Sequence, residues 1–345
     1  TYLKSDVETL EEVPAWIVAQ FEYFMEKGAA LLSVASPTPG LLADVDPVKL
    51  QRANIATRKA LTNWQAHMMG NKTQWSIVAV PTVAWAKKVF PALNDEEAVD
   101  ALWNAILTAV RVREDNDPVQ EWRDHNARLS AHNAALNDHN FKSLHFKNSL
   151  GTDLVVELVK NHIWAGGDEK NTQGVHFNPN MPTEETFTMP AKFGVNGKVV
   201  ATKPLNYQGR LIDGFWLEFK DGKVVSYDAA KEKEALSNLL SVDEGSSYLG
   251  EVALISHDSP ISNANILFLN TLFDENASCH LALGRAYPMN LKGGLTMSQE
   301  ELAAAGSNQS MEHQDFMFGS ADMSIVGITQ DGKEVVVFKD GNFAF

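Results

Sequence analysis

The chain has 345 residues, 44% of them apolar, enough for a sizeable core and for two domains of ordinary size, which excludes global disorder. A formal net charge of −15 argues against a nucleic-acid surface and against adhesion to anionic membranes, and suits cationic partners such as the free amino terminus of a peptide. One cysteine, Cys279, leaves no intramolecular disulfide; no apolar run is long enough to span a membrane, and residues 1–6 lack a basic-then-apolar leader, so the cytoplasm is the default location. From Glu8 to Lys27, the apolar positions Val13, Ile17, Phe21 and Phe24 recur at helical spacing, and Gly28 stops the helix. Residues 29–35 are a short, continuously apolar strand of the kind covered on both faces of a sheet. Asp46 and Pro47, as N-cap and first helical position, open a helix predicted to reach Met68. A second buried strand spans 74–80. Thr82 caps a short helix to Phe90, Asn94 starts the next, and Asp117–Pro118 starts a long polar one. This alternation predicts an α/β domain with an open parallel sheet over residues 1–140. In the last helix His125, His132 and His139 recur every seven residues and share one face, which is expected to be solvated.

Residues 141–345 read differently. Short segments alternate Val, Phe, Leu and Tyr with polar residues, separated by turns such as Asn196-Gly197 and Asp221-Gly222. A helix over Asp228–Leu240 is expected, and a hairpin of 323–328 with 334–338. The second part is therefore expected to be a β-rich α+β domain.

Five side chains in this second part suit a pair of divalent metals: Glu185, Glu251, His280, His313 and Asp315. Imidazole nitrogen and carboxylate oxygen fit zinc, cobalt, manganese or magnesium, and a set without thiolates leaves coordination positions open for catalysis. His313-Gln314-Asp315 fits a strand, where residues two apart face the same way. Glu251 heads the apolar run Val252–Ile255, so its charge needs a partner, either a metal or a Lys or Arg. Paired acids such as Glu184-Glu185 are usually solvated, but the Pro-bounded loop around them suits a site. His257 is expected to be a turn residue. Cys279 and His280 are adjacent on a predicted strand and point to opposite faces, which places them badly as a nucleophile and base. Tyr287 is either a core phenol or an oxyanion donor beside the metals. No phosphate-binding loop, dinucleotide fingerprint or His-Glu-X-X-His helix is present.

Several phrases occur together in order: Asn-Met-Pro-Thr-Glu-Glu-Thr-Phe at 180–187, Ala-Thr-Lys-Pro-Leu at 201–205, Gly-Glu-Val-Ala-Leu at 250–254, Asn-Thr-Leu-Phe-Asp-Glu-Asn-Ala-Ser-Cys-His-Leu-Ala at 270–282, Gly-Arg-Ala-Tyr at 284–287 and Glu-His-Gln-Asp-Phe-Met-Phe-Gly-Ser at 312–320. With these phrases the chain resembles the thermophilic-aminopeptidase family, the group of aminopeptidase T and aminopeptidase S. The resemblance covers essentially the whole chain and is most specific over 178–322. It implies a homodimeric metallo-exopeptidase with an N-terminal α/β domain, often preceded by further βα units, and a C-terminal domain holding two metals. The ligands it implies are Glu185, Glu251, His280, His313 and Asp315, with Tyr287 as the active-site tyrosine and Glu275 in or beside the ligand set. The expected reaction is hydrolysis of the N-terminal residue from peptides by a metal-bridged hydroxide, with zinc first among the metals. Asp315 or Glu251 would bridge, and Glu184 or Glu275 would act as base. Two other classes fit the residues alone: another two-metal hydrolase, such as an amidase or phosphoesterase, and a two-lobed solute-binding protein indifferent to chelation.

Overall fold

The structure is a computed structural model that describes every residue except 39 and 43, and the side chain of residue 47. The chain opens with α1 (Val7–Glu11) and α2 (Ala15–Glu26). The single helix expected over 8–27 is broken because Pro14 has no N–H to donate and takes ψ 134 before α2. β1 (Leu31–Ala35) pairs in parallel with β2 (Trp75–Ala79). Between them run α3 (Pro47–Ala60) and α4 (Thr62–Met69) where one helix was expected. The Thr62 hydroxyl donates to the carbonyls of Arg58 and Lys59 at this break, competing with the helical ladder. Among the described residues the parallel sheet has only these two strands. It is not covered on both faces either, for Leu32 is 63% and Val34 55% exposed.

α5 (Val83–Val89), α6 (Asp95–Ala109) and α7 (Pro118–His139) follow. α6 starts on a capping box between Asn94 and Glu97, and Asp117 caps α7 through the amides of Val119 and Gln120. Trp85, Leu102 and Ile106 share a core with Ile261, Phe268 and Phe273, far along the chain. The Trp85 indole donates to the Phe268 carbonyl at 2.5 Å. The histidine stripe of α7 is packed rather than solvated. His125 is buried, His132 stacks on Phe343 at 3.9 Å, and His139 stacks on Phe141 at 5.1 Å. The heptad spacing puts them on the same side as the buried Trp122, Leu129 and Leu136.

Beyond α7 every strand pair is antiparallel. In chain order come β3 (Phe141–Lys147), β4 (Asp153–Leu158), β5 (Glu169–Lys170), β6 (His176–Phe177), β7 (Thr186–Thr188), β8 (Pro190–Val200), β9 (Leu205–Tyr207), β10 (Arg210–Lys220) and β11 (Lys223–Lys231). Then come α8 (Lys233–Leu240), β12 (Leu249–Leu254), α9 (Pro260–Ala264), α10 (Thr271–Asp274), β13 (His280–Gly284), α11 (Gln299–Ala304), β14 (His313–Met317), β15 (Ser324–Thr329), β16 (Glu334–Lys339) and β17 (Asn342–Phe343). The helix expected from Asp228 starts only at Lys233, because Asp228 and Ala229 still pair with Trp216 and Phe215 across the β10–β11 ladder.

The large sheet runs β11-β10-β8-β4-β3-β15-β16-β17, with β9 on β10. A smaller sheet runs β14-β13-β12-β7. Between them lies one apolar core, in which Phe146, Leu154 and Phe215 of the large sheet meet Val252, Leu281 and Phe316 of the small one. Phe215 and Phe316 lie 5.6 Å apart, centroid to centroid. Phe316 is fully buried and sits next to Asp315 in sequence. Replacing Phe316 by Ala is expected to cost on the order of 3–5 kcal/mol, measured by urea unfolding, through the void left between the two sheets.

Candidate metal centre

The small sheet sorts its residues strictly by face. Residues directly opposite one another across a ladder share a face. Glu251 lies opposite Ala282, which lies opposite Asp315. His280 lies opposite Ala253, and His313 opposite Gly284. Glu251, His280, His313 and Asp315 therefore stand on one face, with Ala253, Ala282 and Gly284 as small residues between them. The other face sends Val252, Leu254, Leu281, Leu283 and Phe316 into the core. A register shift between Leu249 and Glu251 re-aims the carboxylate, as bulges do. It falls at Gly250, where a Cβ would lie 2.3 Å from the Gly284 carbonyl oxygen, so no larger residue fits. Glu185 arrives from the loop before β7. Gly166 packs on it so closely that a Cβ there would lie 2.2 Å from the Glu185 carbonyl oxygen.

The five side chains converge. His280 Nε2 lies 3.3 Å from Glu185 Oε2, 3.3 Å from Glu251 Oε1 and 4.0 Å from Asp315 Oδ1. His313 Nε2 lies 3.6 Å from Glu251 Oε2 and 3.4 Å from Asp315 Oδ1. The two oxygens of Glu251 thus face different imidazoles. Two groups result, Glu185/Glu251/His280 and Glu251/His313/Asp315, each with its donor atoms within 4.8 Å of one another. Backbone carbonyls orient both rings: His280 Nδ1 donates to Glu275 O at 2.8 Å and His313 Nδ1 to Arg285 O at 2.7 Å. A proton fixed on Nδ1 turns Nε2 toward the carboxylates, an arrangement common among metal-binding histidines.

The electrostatics favour positive charge here. Burial opposes a charged imidazole, yet the carboxylates of Glu185 and Glu251 outweigh it and raise His280 well above the usual range. His313 is raised to about 9, with Asp315 and Glu251 overcoming burial. Glu251 is raised by burial above all, then by Glu185 and Asp315, against the lowering pull of the two histidines. Asp315 Oδ1 is buried without a hydrogen-bond partner; His313 Nε2 is within 3.4 Å but not in hydrogen-bond geometry. Buried carboxylates crowded together need cations, and this set of oxygen and imidazole donors fits divalent metals of the catalytic type.

A cavity of about 450 Å³ opens over this face. Glu275 and Tyr287 line it beside the five residues, and burial with the charges of Asp315 and Glu185 holds the Glu275 carboxyl well above the usual range. The Tyr287 ring lies 4.5 Å from His313 and 6.4 Å from Phe187. Burial, then Glu251 and Asp315, raises its phenol far above the usual value, so it stays protonated.

Glu184, a candidate base on the sequence, does not face this cavity. Arg111 grips both its oxygens, at 2.6 and 2.8 Å, and the pair is buried. A carboxylate committed to a guanidinium is badly placed to shuttle a proton. His125 stands 3.8 Å from Glu184 but is not charged. Burial and then Arg111 lower it to about 3, and the neutral ring donates from Nε2 to the Thr183 carbonyl at 2.7 Å. The Glu184 amide donates to Asn276 Oδ1 at 2.7 Å. These contacts clamp the loop that presents Glu185. Cys279 faces away into the core, where burial raises its thiol to about 11, and His257 lies outside the cavity lining.

Sequence reasoning missed Arg111, whose partner is 73 residues away and leaves no local signal. It also missed Met68, Asn71, Trp75 and Glu169 on the cavity wall. The acidic loop Gly166-Gly167-Asp168-Glu169 was a visible cue for the last of these.

The thermophilic metalloprotease (M29) family matches residues 1–343. The chain is 50% identical to aminopeptidase 2 of Geobacillus stearothermophilus over 348 residues, covering all of this chain and 84% of that one. It is 41% identical to aminopeptidase T of Thermus aquaticus, over 97% of this chain and 81% of the other. The solved structure of wild-type AmpT from Thermus thermophilus superposes with a TM-score of 0.92 at 39% identity, over all of this chain and 83% of that one. The chain belongs to the M29 family of thermophilic metalloproteases.

Substituting Arg111 with Met strands a buried carboxylate and is expected to cost on the order of 3–5 kcal/mol in chemical denaturation. The double variant Arg111→Met with Glu184→Met is expected to recover most of that stability in the same measurement, because no buried charge is then left without its partner.

Proposed function

We propose that this chain is a metal-dependent aminopeptidase that removes the N-terminal residue from peptides. The observation that carries the reading is the split aim of buried Glu251, one oxygen toward each imidazole. Glu185 and His280 would hold one ion, His313 and Asp315 the other, and Glu251 would lie between them. Relatives named aminopeptidases, at 40–50% identity, support the activity. When bound, two divalent ions lower the pKa of water from 15.7 toward about 7 and polarise the scissile carbonyl. Zinc stands first for these donors, with cobalt, manganese and magnesium also accommodated.

The remaining chemistry falls to the chain itself. Tyr287, protonated and held against His313, donates a hydrogen bond to the developing oxyanion. Glu275 is the acid left to carry a proton from the attacking water to the leaving amine, or else to complete the ligand set. The division of the chain near residue 140 belongs to the same reading, supported by Asn140, which ends α7 in left-handed geometry. So does a homodimer, supported by the exposed Trp16, Leu32 and Val34. A cytoplasmic setting suits the one buried, reduced Cys279, and among the described residues no helix is long and apolar enough to cross a membrane.

Chelation is expected to abolish release of nitroaniline from aminoacyl-nitroanilides, with activity returning on addition of zinc or cobalt; persistence after complete metal removal rejects the reading. By elemental analysis the wild type should hold about two metal equivalents and Glu251→Gln less than about one, as a shared ligand demands. Tyr287→Phe should keep the metal content and lose about 10²–10³-fold in kcat.

A further inference from the structure

The two-metal reading accounts for cutting a peptide bond but not for confining the cut to the end of a chain. Glu169, at the start of β5, lines the same cavity as Glu185 and Tyr287. It is largely shielded from water, and its one side-chain hydrogen-bond partner among the described residues is Asn71, whose Nδ2 donates to Oε2. Asn71 Oδ1 in turn accepts from the Trp75 indole at 3.4 Å, so the carboxylate is held by a chain of two neutral groups. No cation pairs with it among the described residues, and its charged neighbours are themselves acids, Glu185 and Asp168. It also lies close to the metal centre, since Gly166, three residues before it, packs directly on the Glu185 backbone. Beside it, the wall is formed by Met68, Met69 and Trp75, which offer contact to a side chain but no second charge.

A shielded, oriented carboxylate without a cation gains from a cationic ligand that enters the cavity. A peptide with a free end carries such a cation two bonds from its first carbonyl carbon. We propose that Glu169, oriented by Asn71, binds the α-ammonium of the substrate's first residue and so sets the exopeptidase register. This rests on the aminopeptidase reading above. The apolar wall then receives the first side chain, and an internal peptide bond is refused because it leaves Glu169 unpaired.

The test uses the metal-loaded full chain and Glu169→Gln, which keeps the shape and removes the charge. On leucyl- and lysyl-nitroanilide alike, kcat/KM should fall about 30- to 100-fold, the loss expected for a charge-assisted hydrogen bond, mostly through KM and with unchanged metal content. Asn71→Ala should move KM in the same direction by less. In calorimetry, wild-type protein should bind leucinamide more tightly than N-acetyl-leucinamide, and Glu169→Gln should lose that preference. A KM within threefold of wild type, a defect limited to the lysyl substrate, or a preference for the free amine that survives Glu169→Gln overturns the proposal. If wild-type protein binds the amine selectively yet cleaves neither substrate, it is the aminopeptidase reading that fails, and the calorimetric comparison still decides the role of Glu169.

Discussion

Mutual repulsion among Glu185, Glu251 and Asp315 is the constraint around which this molecule is arranged. These carboxylates are shielded from water and each lies within 4.0 Å of His280, while Glu251 and Asp315 also approach His313. Like charges in such surroundings cost several kcal/mol each unless cations answer them. The fold meets that cost with stiffness. Glu251, His280, His313 and Asp315 stand on one face of an antiparallel sheet whose other face is committed to apolar packing, so none of the four can retreat without disturbing the core.

A second layer serves the same end. The imidazoles of His280 and His313 are both turned by backbone carbonyls, whose positions follow from the fold rather than from any mobile side chain. The Glu185 loop is held from behind by Arg111–Glu184, His125 and Asn276, which come from three distant stretches of chain. Glu184 and Glu185 are neighbours with opposite tasks. One is neutralised by a guanidinium as part of the scaffold, and the other faces the cavity beside His280.

Much of this was legible in the amino-acid order. Period-two alternation and Gly-containing turns marked the antiparallel strands, and caps such as Asn94 and Asp117 marked helix starts, because both signals are local. The five converging side chains could be named because they come with distinctive neighbours. The failures have physical causes as well. Period seven on α7 reported a shared face but not which way that face looked, so the packed stripe of His125, His132 and His139 was assigned to solvent. Glu184 looked like a catalytic acid because its partner Arg111 meets it only in the folded chain. The helix expected from Asp228 gave way to a strand because cross-strand pairing with Trp216 and Phe215 overrides local preference.

The order in which the donors occur along the chain has a consequence for biosynthesis. Glu185, Glu251, His280, His313 and Asp315 span 131 positions, and only the last two share a strand. A nascent polypeptide therefore exposes no local chelating motif while it emerges from the ribosome. On the proposed assignment, the group that includes His313 and Asp315 is complete only after β14 has been made and zipped onto β13, so loading of the pair would follow folding. Metal uptake would then report the native state alone and stabilise it by mass action, drawing slow folders toward completion.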